Sequence, residues 1–290
     1  MKICILGSSG VVGYGIKKNL SRHQITSLNS KFYNFKNKSY KIKKINKKID
    51  LFVHAGGVFD EEVKKNKSLA LRRASENTIQ LLNKLLKLEC KYFVYISSLR
   101  IYDEKDNFLK ENQTPIILND FYKLCHYITE RIFINFCKNY KKTYLILRPG
   151  AVYGFSEKKI NRKNLIPYSF PNELIKSKSI TLKSSGQQFR NFCSNDDIGK
   201  LVSKWISSKK KKSLITNMRG NDTLKVIDFA KLCSKIFRKI SKKKCKIIIN
   251  SKSTKKFKKL NIHQFYKIKT TNRVEKFIID YIKLLYLKKN

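Results

Sequence analysis

Negative charge is scarce in this sequence. Only 20 of its 290 residues are Asp or Glu, against 65 Lys and Arg, and the formal net charge is +45. Long apolar runs are missing as well. No stretch reaches the length of about 18 residues that a membrane-spanning helix needs, so no membrane span is expected. The N-terminus, MKICILGSSG, has one Lys before an apolar run too short for a secretory signal, which points to the cytoplasm. Prolines number four and glycines eleven. They form no linker, and there is no internal repeat. The seven cysteines (Cys4, Cys90, Cys125, Cys137, Cys193, Cys233, Cys245) are odd in number and contain no C-x-x-C pair. That fits reduced, buried thiols rather than a disulfide frame or a zinc site. No His/Cys/Asp cluster has metal-ligand spacing, so no metal is expected. What is present suffices for a core. Hydrophobic residues make up 41% and aromatics 12%, which argues against wholesale disorder. The length allows one large domain or two modest ones.

A positive excess of this size ordinarily points to nucleic acid or an anionic surface. Here base composition accounts for it. Arg supplies only 11 of the 65 basic residues, and Ala numbers five, whereas Lys, Asn and Ile abound. The abundant types have A/T-rich codons. A dedicated nucleic-acid binder would favour Arg, whose planar fork grips phosphate and guanine bidentately. The lysines are dispersed apart from short runs at Lys209 to Lys212 and Lys242 to Lys244. The expectation is a solvated basic surface with no specific nucleic-acid partner, able to attract a diphosphate ligand.

Apolar runs at 2–6, 24–28, 50–54, 91–97 and 143–150 read as strands. Between them, 11–20, 68–88 and 120–138 carry apolar residues at helical spacing. Alternation of this kind predicts an α/β fold with a doubly wound parallel sheet. After residue 150 the alternation lapses. Amphipathic helices are predicted at 223–240 and 273–286. The expected division is a core over 1–150 with a return segment near 190–218, and a smaller C-terminal lobe over 151–189 and 219–290.

Gly7-Ser8-Ser9-Gly10-Val11-Val12-Gly13 is G-x-x-G-x-x-G, placed directly between a strand and a helix. The first glycine permits a tight turn, the second admits a pyrophosphate, and the third lets helix and strand pack closely. Backbone N–H groups at the helix start then hold the phosphates. Gly7, Ser9, Gly10, Val11, Val12 and Gly13 are therefore candidate dinucleotide contacts. About 20 residues on, an Asp or Glu would read the ribose hydroxyls of NAD. The sequence there is Leu28-Asn29-Ser30-Lys31. Ser30 and Lys31 suit the 2′-phosphate of NADP instead, and both cofactors remain open.

Further segments, in order, give the chain a resemblance to the extended short-chain dehydrogenases/reductases, in the NAD-dependent epimerase/dehydratase family that modifies nucleotide sugars. DLFVHAGGV (50–58) resembles the segment passing beneath the cofactor, YISSLRIYDE (95–104) the stretch with the catalytic hydroxyl, and LRPGAVYG (147–154) the L-R-P-x-N-V-Y-G run. LIPYSF through GQQFRNFCSNDDIGKLV (165–202) resembles the stretch whose Arg meets a sugar-nucleotide diphosphate. The resemblance covers residues 1–235 and implies a Rossmann-type fold with a smaller C-terminal substrate-binding lobe. It implies Ala55, Gly56 and Pro149 as cofactor contacts. It implies Arg190 as the diphosphate residue, with Asn164 and Leu165 nearby, and a structural role for Arg148.

The family's catalytic pair is Y-x-x-x-K. Tyr122 matches the Tyr, Glu130 falls where the family has a Glu, and His126 stands at the Lys position. In the family the Lys holds the nicotinamide ribose, and its charge lowers the Tyr pKa from near 10. A neutral His126 is expected to reach the ribose, and a protonated one to assist Tyr122. Ser98 matches the hydroxyl that polarises the substrate oxygen. Leu99 and Arg100 stand where dehydratases of the family carry carboxylates. The implied reaction is hydride transfer at a sugar carbon, in a 4-ketoreductase or a 4-epimerase. Two other readings stay open: a weakly active or inactive binding protein on the same fold, motivated by His126, and a nucleic-acid-associated protein, motivated by the charge. By analogy a homodimer is expected through helices at about 69–88 and 120–138.

Overall fold

The apolar runs become the strands of a parallel sheet buried on both faces. The computed structural model describes residues 1–28, 33–34, 39–40, 48–103, 106–115, 120–157, 165–251 and 257–287. From the N-terminus come β1 (Lys2–Leu6), α1 (Val11–Asn19), β2 (Gln24–Leu28), the two-residue strands β3 (Tyr33–Asn34) and β4 (Ser39–Tyr40), and β5 (Leu51–His54). Three helices follow: α2 (Asp60–Lys65), α3 (Lys67–Ala74) and α4 (Glu76–Leu86). Then come β6 (Tyr92–Ile96), a 3-10 turn at Leu99–Ile101, β7 (Phe108–Leu109), α5 (Phe121–Asn139), β8 (Thr143–Pro149) and β9 (Ala151–Tyr153). The remainder is α6 (Ile166–Ser177), β10 (Ser179–Leu182), β11 (Phe189–Ser194), α7 (Asn195–Ser207) and β12 (Leu214–Met218). It ends with β13 (Asp222–Lys225), α8 (Val226–Ser241), β14 (Lys246–Ile249), β15 (Asn261–Ile262) and α9 (Val274–Leu287).

Six strands form the main sheet in the order β12-β8-β6-β5-β1-β2, every pair parallel. The chain leaves β1 toward β2, then returns to β5 on the other side of β1. That reversal is a topological switch point, where a crevice opens beyond the C-terminal strand ends. Strands covered on both faces must be apolar throughout. Accordingly β5 is buried along its whole length, and β1, β6 and β8 over all but their first residues. On one face Leu81, Leu82, Leu85 and Phe133 of α4 and α5 pack on Phe52, Phe93 and Tyr95. On the other, Ile16 of α1 and Ile198, Leu201 and Trp205 of α7 pack on Ile3, Ile5, Val53 and Leu145. Helices α1 and α7 cross at glycines: a Cβ at Gly199 would lie 2.3 Å from the Gly15 oxygen. This is the doubly wound Rossmann-type architecture.

A second core gathers α6, α8 and α9 around Tyr168, Phe192, Phe229 and Phe277. The predicted helix at 68–88 is two helices. Ser75 breaks it with φ −107° and ψ −89°. The break leaves carbonyls without helical partners, and hydroxyls take them over. Thr78 Oγ1 donates to Arg73 O at 3.1 Å and Thr129 Oγ1 to Ala74 O at 3.0 Å. All seven cysteines are free, and six are buried. Burial pushes the thiols of Cys4, Cys90 and Cys137 up to about 12.

Candidate functional site

The glycine loop sits at the switch point, between the end of β1 and α1. Gly7 has φ +83°, a left-handed conformation that favours glycine. A Cβ on Gly7 would also lie 2.8 Å from Ala55 O, and one on Gly13 would lie 2.1 Å from Gly7 O. Gly10 N–H donates to Gly7 O at 3.0 Å and Ala55 N–H to Leu6 O at 2.9 Å, tying the loop to the end of β5. Gly10 is the N-cap of α1, which has no side-chain cap and no acidic residue in its first turn. A positive helix end is therefore presented beside the loop. Ser9, Gly10 and Val12 are half-buried, while Val11 and Gly13 are buried. Gly56 is buried, and its carbonyl accepts from Arg73 Nη2 at 2.6 Å. Pro149 closes β8, paired with Met218. Ser30, Lys31 and Asn164 lie outside the described residues.

Tyr122 enters at the start of α5, half-buried. Asp120 caps that helix, its Oδ1 accepting from the N–H groups of Tyr122 at 2.9 Å and Lys123 at 3.1 Å. The Tyr122 ring lies 4.5 Å from the His126 ring, as i,i+4 spacing requires. Ser98 ends the segment after β6. It is buried, and its Oγ accepts from Arg100 N–H at 3.1 Å, which leaves the hydroxyl hydrogen to be donated. Beside it, Ser97 Oγ is buried with no hydrogen-bond partner among the described residues.

The structure corrects the expectation for His126. Its Nδ1 is 2.9 Å from the Tyr95 hydroxyl and its Nε2 is 3.2 Å from Val58 O. A carbonyl only accepts, so Nε2 carries the hydrogen and Nδ1 accepts from Tyr95. Neither nitrogen is left for a ribose hydroxyl. Burial also lowers the His126 pKa to about 4, against a weaker opposing pull from the Val58 hydrogen bond. The ring is neutral at pH 7 and supplies no charge to Tyr122. It serves instead to lock α5 against Val58 and Tyr95, with Gly57 making room, since a Cβ there would lie 3.1 Å from His126 Cε1. His54 is likewise internal. It packs edge-on against Tyr95 and Phe133, and burial lowers its pKa to about 3.

One residue escaped the sequence reading. Arg100, noted there only as a non-carboxylate, lays its guanidinium 4.1 Å from the centre of the Tyr122 ring. Asp60 of α2 pairs with it directly, and Asp120 lies 3.9 Å away. The available signal was its position two residues after Ser98. Glu130 and Arg148 form a buried bidentate pair, with Nε–Oε1 at 3.0 Å and Nη2–Oε2 at 2.6 Å. Arg148 also donates to the Tyr102 hydroxyl at 2.7 Å. Among the described residues no cluster of His, Cys, Asp and Glu could hold a metal ion. None of the described helices is long and apolar enough to cross a membrane.

The structure thus joins the glycine loop, Ala55 to Val58, His126, Tyr122, Arg100 and Ser98 through successive contacts. Arg190 and Leu165 belong to other elements. Arg190 lies half-buried in β11, opposite Leu224 of β13, with Nη1 donating to Phe189 O at 3.2 Å. Leu165 is the N-cap residue of α6.

Solved structures share this architecture over nearly the whole chain. A UDP-glucuronic acid 4-epimerase from Bacillus cereus, in complex with UDP-glucuronic acid and NAD, superposes with a TM-score of 0.80 at 20% identity, covering 99% of this chain and 100% of that one. RMD from Pseudomonas aeruginosa, complexed with NADPH, gives 0.79 at 15% identity and 99% coverage of both chains. A UDP-N-acetylglucosamine 4-epimerase from Methanobrevibacter ruminantium M1, in complex with UDP-N-acetylmuramic acid, gives 0.79 at 14% identity, covering 100% of this chain and 99% of that one. A search of curated proteins gave no match. The sequence profile of the NAD dependent epimerase/dehydratase family matches residues 3–217. With three-quarters of its length matched in that way, the chain belongs to the NAD dependent epimerase/dehydratase family.

Proposed function

We propose that this protein is an NAD- or NADP-dependent enzyme of nucleotide sugars, a 4-epimerase or a 4-ketoreductase, with Tyr122 as its acid–base group. The glycine cradle carries the reading. At Gly7 and Gly13 a side chain would collide with backbone, and the uncapped, acid-free start of α1 suits a pyrophosphate. A nicotinamide dinucleotide bound there supplies hydride uptake and return. Tyr122 takes the proton of a sugar hydroxyl during oxidation and gives it back on reduction. Ser98 donates its hydroxyl hydrogen to the same sugar oxygen and holds it in line. Arg190 meets the diphosphate, assisted by Asn164 and Leu165. Leu99 and Arg100 follow Ser98 where dehydratases of the family carry carboxylates, which favours an epimerase or a reductase over elimination of water.

A titration of the purified protein with NADH and NADPH, followed by nicotinamide fluorescence, tests this. Preferential NADPH binding supports a ketoreductase that exchanges its cofactor. NADH binding, or NAD retained through purification, supports an epimerase. UDP-glucuronic acid and UDP-N-acetylglucosamine are the first sugars to try, because the neighbours named above carry them or act on them. If neither cofactor binds, the reading falls. The second reading, a binding protein without turnover, is favoured by one observation: His126 has no nitrogen and no charge to offer in place of lysine.

A further inference from the structure

A Tyr-x-x-x-Lys site needs a cation near its phenol, and His126 is not one. Arg100 is placed to be. Its guanidinium carbon lies 4.1 Å from the Tyr122 ring centre, well inside the roughly 6 Å within which a cation is held by an aromatic face. The approach comes from outside α5, where a residue four positions along the helix would not be required. Two carboxylates from separate elements hold the guanidinium there: Asp60 at the start of α2 and Asp120 at the cap of α5. The Arg100 backbone N–H meanwhile donates to Ser98 Oγ, so the same residue orients both hydroxyl-bearing groups of the site. We infer that Arg100 is the cation that favours the Tyr122 phenolate, in place of the lysine that the motif carries elsewhere. The inference rests on the proposed acid–base role of Tyr122 and deepens it. Arg100 acts through Tyr122 and is a positioning residue.

The surrounding charges permit this role. Burial works against the Arg100 charge. The Asp60 hydrogen bond, the Tyr122 charge and the two carboxylates outweigh it and raise the guanidinium pKa further. Attraction between two ionising groups is reciprocal, so what the phenolate gives to Arg100 the guanidinium returns to Tyr122. Glu62 of α2 is occupied by Arg73 of α3. The buried groups next to Tyr122 are uncharged at neutral pH: the Cys125 thiol is pushed up to about 11 by burial, Tyr95 is raised well above its usual value, and His126 is neutral. Lys123 follows Tyr122 on α5, about 100° around the helix. Arg100 is thus the cation for which the structure gives a contact with the Tyr122 ring. Because Asp60 and Asp120 offset part of its charge, the test must separate the guanidinium from its carboxylate partners.

The experiment is a pH titration of the protein labelled with [13Cζ]tyrosine, with the Tyr122 resonance assigned by its loss in Tyr122→Phe. Neither cofactor nor sugar is needed. In Arg100→Ala the Tyr122 midpoint is expected about one pH unit above that of the unmodified protein. Arg100→Gln should behave as the alanine variant does, and Arg100→Lys should stay near the original midpoint. In Arg100→Ala/Asp60→Asn the midpoint should remain raised. An unchanged midpoint in both neutral variants overturns the inference. So does a return to the original midpoint in the double variant, because the shift would then come from an uncompensated Asp60. Failure of NADH and NADPH to bind would remove the proposed function without moving these midpoints, so the two failures can be told apart.

Discussion

His126 and His54 are neutral because they are buried, and burial of a titratable base makes folding depend on pH. In the unfolded chain each takes up a proton as pH falls through about 6.5. In the folded protein the corresponding values are lowered by burial to about 4 for His126 and about 3 for His54. Between these limits the unfolded state binds more protons, so stability rises with pH and is lost on acidification. Each histidine contributes a slope of up to about 1.4 kcal/mol per pH unit. Urea denaturation from pH 7.5 down to 4.5 should show falling stability below pH 6.5 and little change above it. His126→Phe should remove about half of the slope. A flat profile across that range would contradict the buried, neutral assignment. The site residues were unequally legible. Tyr122 and Ser98 stood in readable motifs, as did the Gly7 to Gly13 loop. The working of residue 126 did not, since a histidine one helical turn from a tyrosine looks the same on paper whether its nitrogens face a ligand or the core. Arg100 lies 22 positions before Tyr122 in sequence, and only the fold brings them together.

At the level of elements, the strands were the easiest to read, because a sheet covered on both faces demands unbroken apolar runs such as LFVH at β5 and YFVYI at β6. The helix expected over 68–88 shows how periodicity misleads. Leu69 and Leu71 before Ser75 and Ile79, Leu82 and Leu85 after it keep roughly helical spacing, yet the backbone breaks there, and the hydroxyls that tolerate the break come from Thr78 and from Thr129 of α5. A tertiary partner 55 residues away from Ala74 leaves no local mark. The first turn of α7 is a smaller case. Asp196 and Asp197 are capping types by chemistry, yet Ser194 supplies the cap, with Oγ accepting from Asp196 N–H at 3.2 Å. Asp196 instead meets Asn19 at 2.9 Å and Lys200 at 2.8 Å, and Asp197 meets Asn272 at 2.7 Å. In the segment after residue 241 the helix at 273–286 was the legible part. The segment folds as β14, β15 and α9, whose Phe277 and Tyr281 stack on one another 5.4 Å apart beside Tyr168.

For the whole molecule, the surface of α4 and α5 bears on assembly. Ile79, Leu82, Ile132, Phe136 and Tyr140 line a shallow groove there, and Ile79 and Tyr140 are each 47% exposed. These are the two helices through which a homodimer was anticipated, and we propose that they form its interface. Light scattering should return twice the chain mass, and Ile79→Lys should return the monomer. Each chain brings a formal +45 to the contact. Mutual repulsion must therefore oppose association at low ionic strength and fade as salt shortens the screening length to about 8 Å near 0.15 M. Dimer affinity should accordingly strengthen between 20 and ~200 mM salt. A monomer at every salt concentration would exclude the interface.

The inward turn of His126 also bears on how this site can change over generations. Its ring accepts from Tyr95 and donates to Val58, and a lysine ammonium has donors only. Placing a lysine at position 126 alone would leave the Tyr95 hydroxyl hydrogen without its acceptor and bring a charge into a buried place, beside a site already provided with one by Arg100. His126→Lys should lower the melting temperature, and adding Tyr95→Phe should recover part of the loss. A single variant as stable as the parent would show the position to be freely exchangeable. Otherwise positions 126 and 95 are tied to one another, and a lysine is accommodated only where the residue at 95 changes with it.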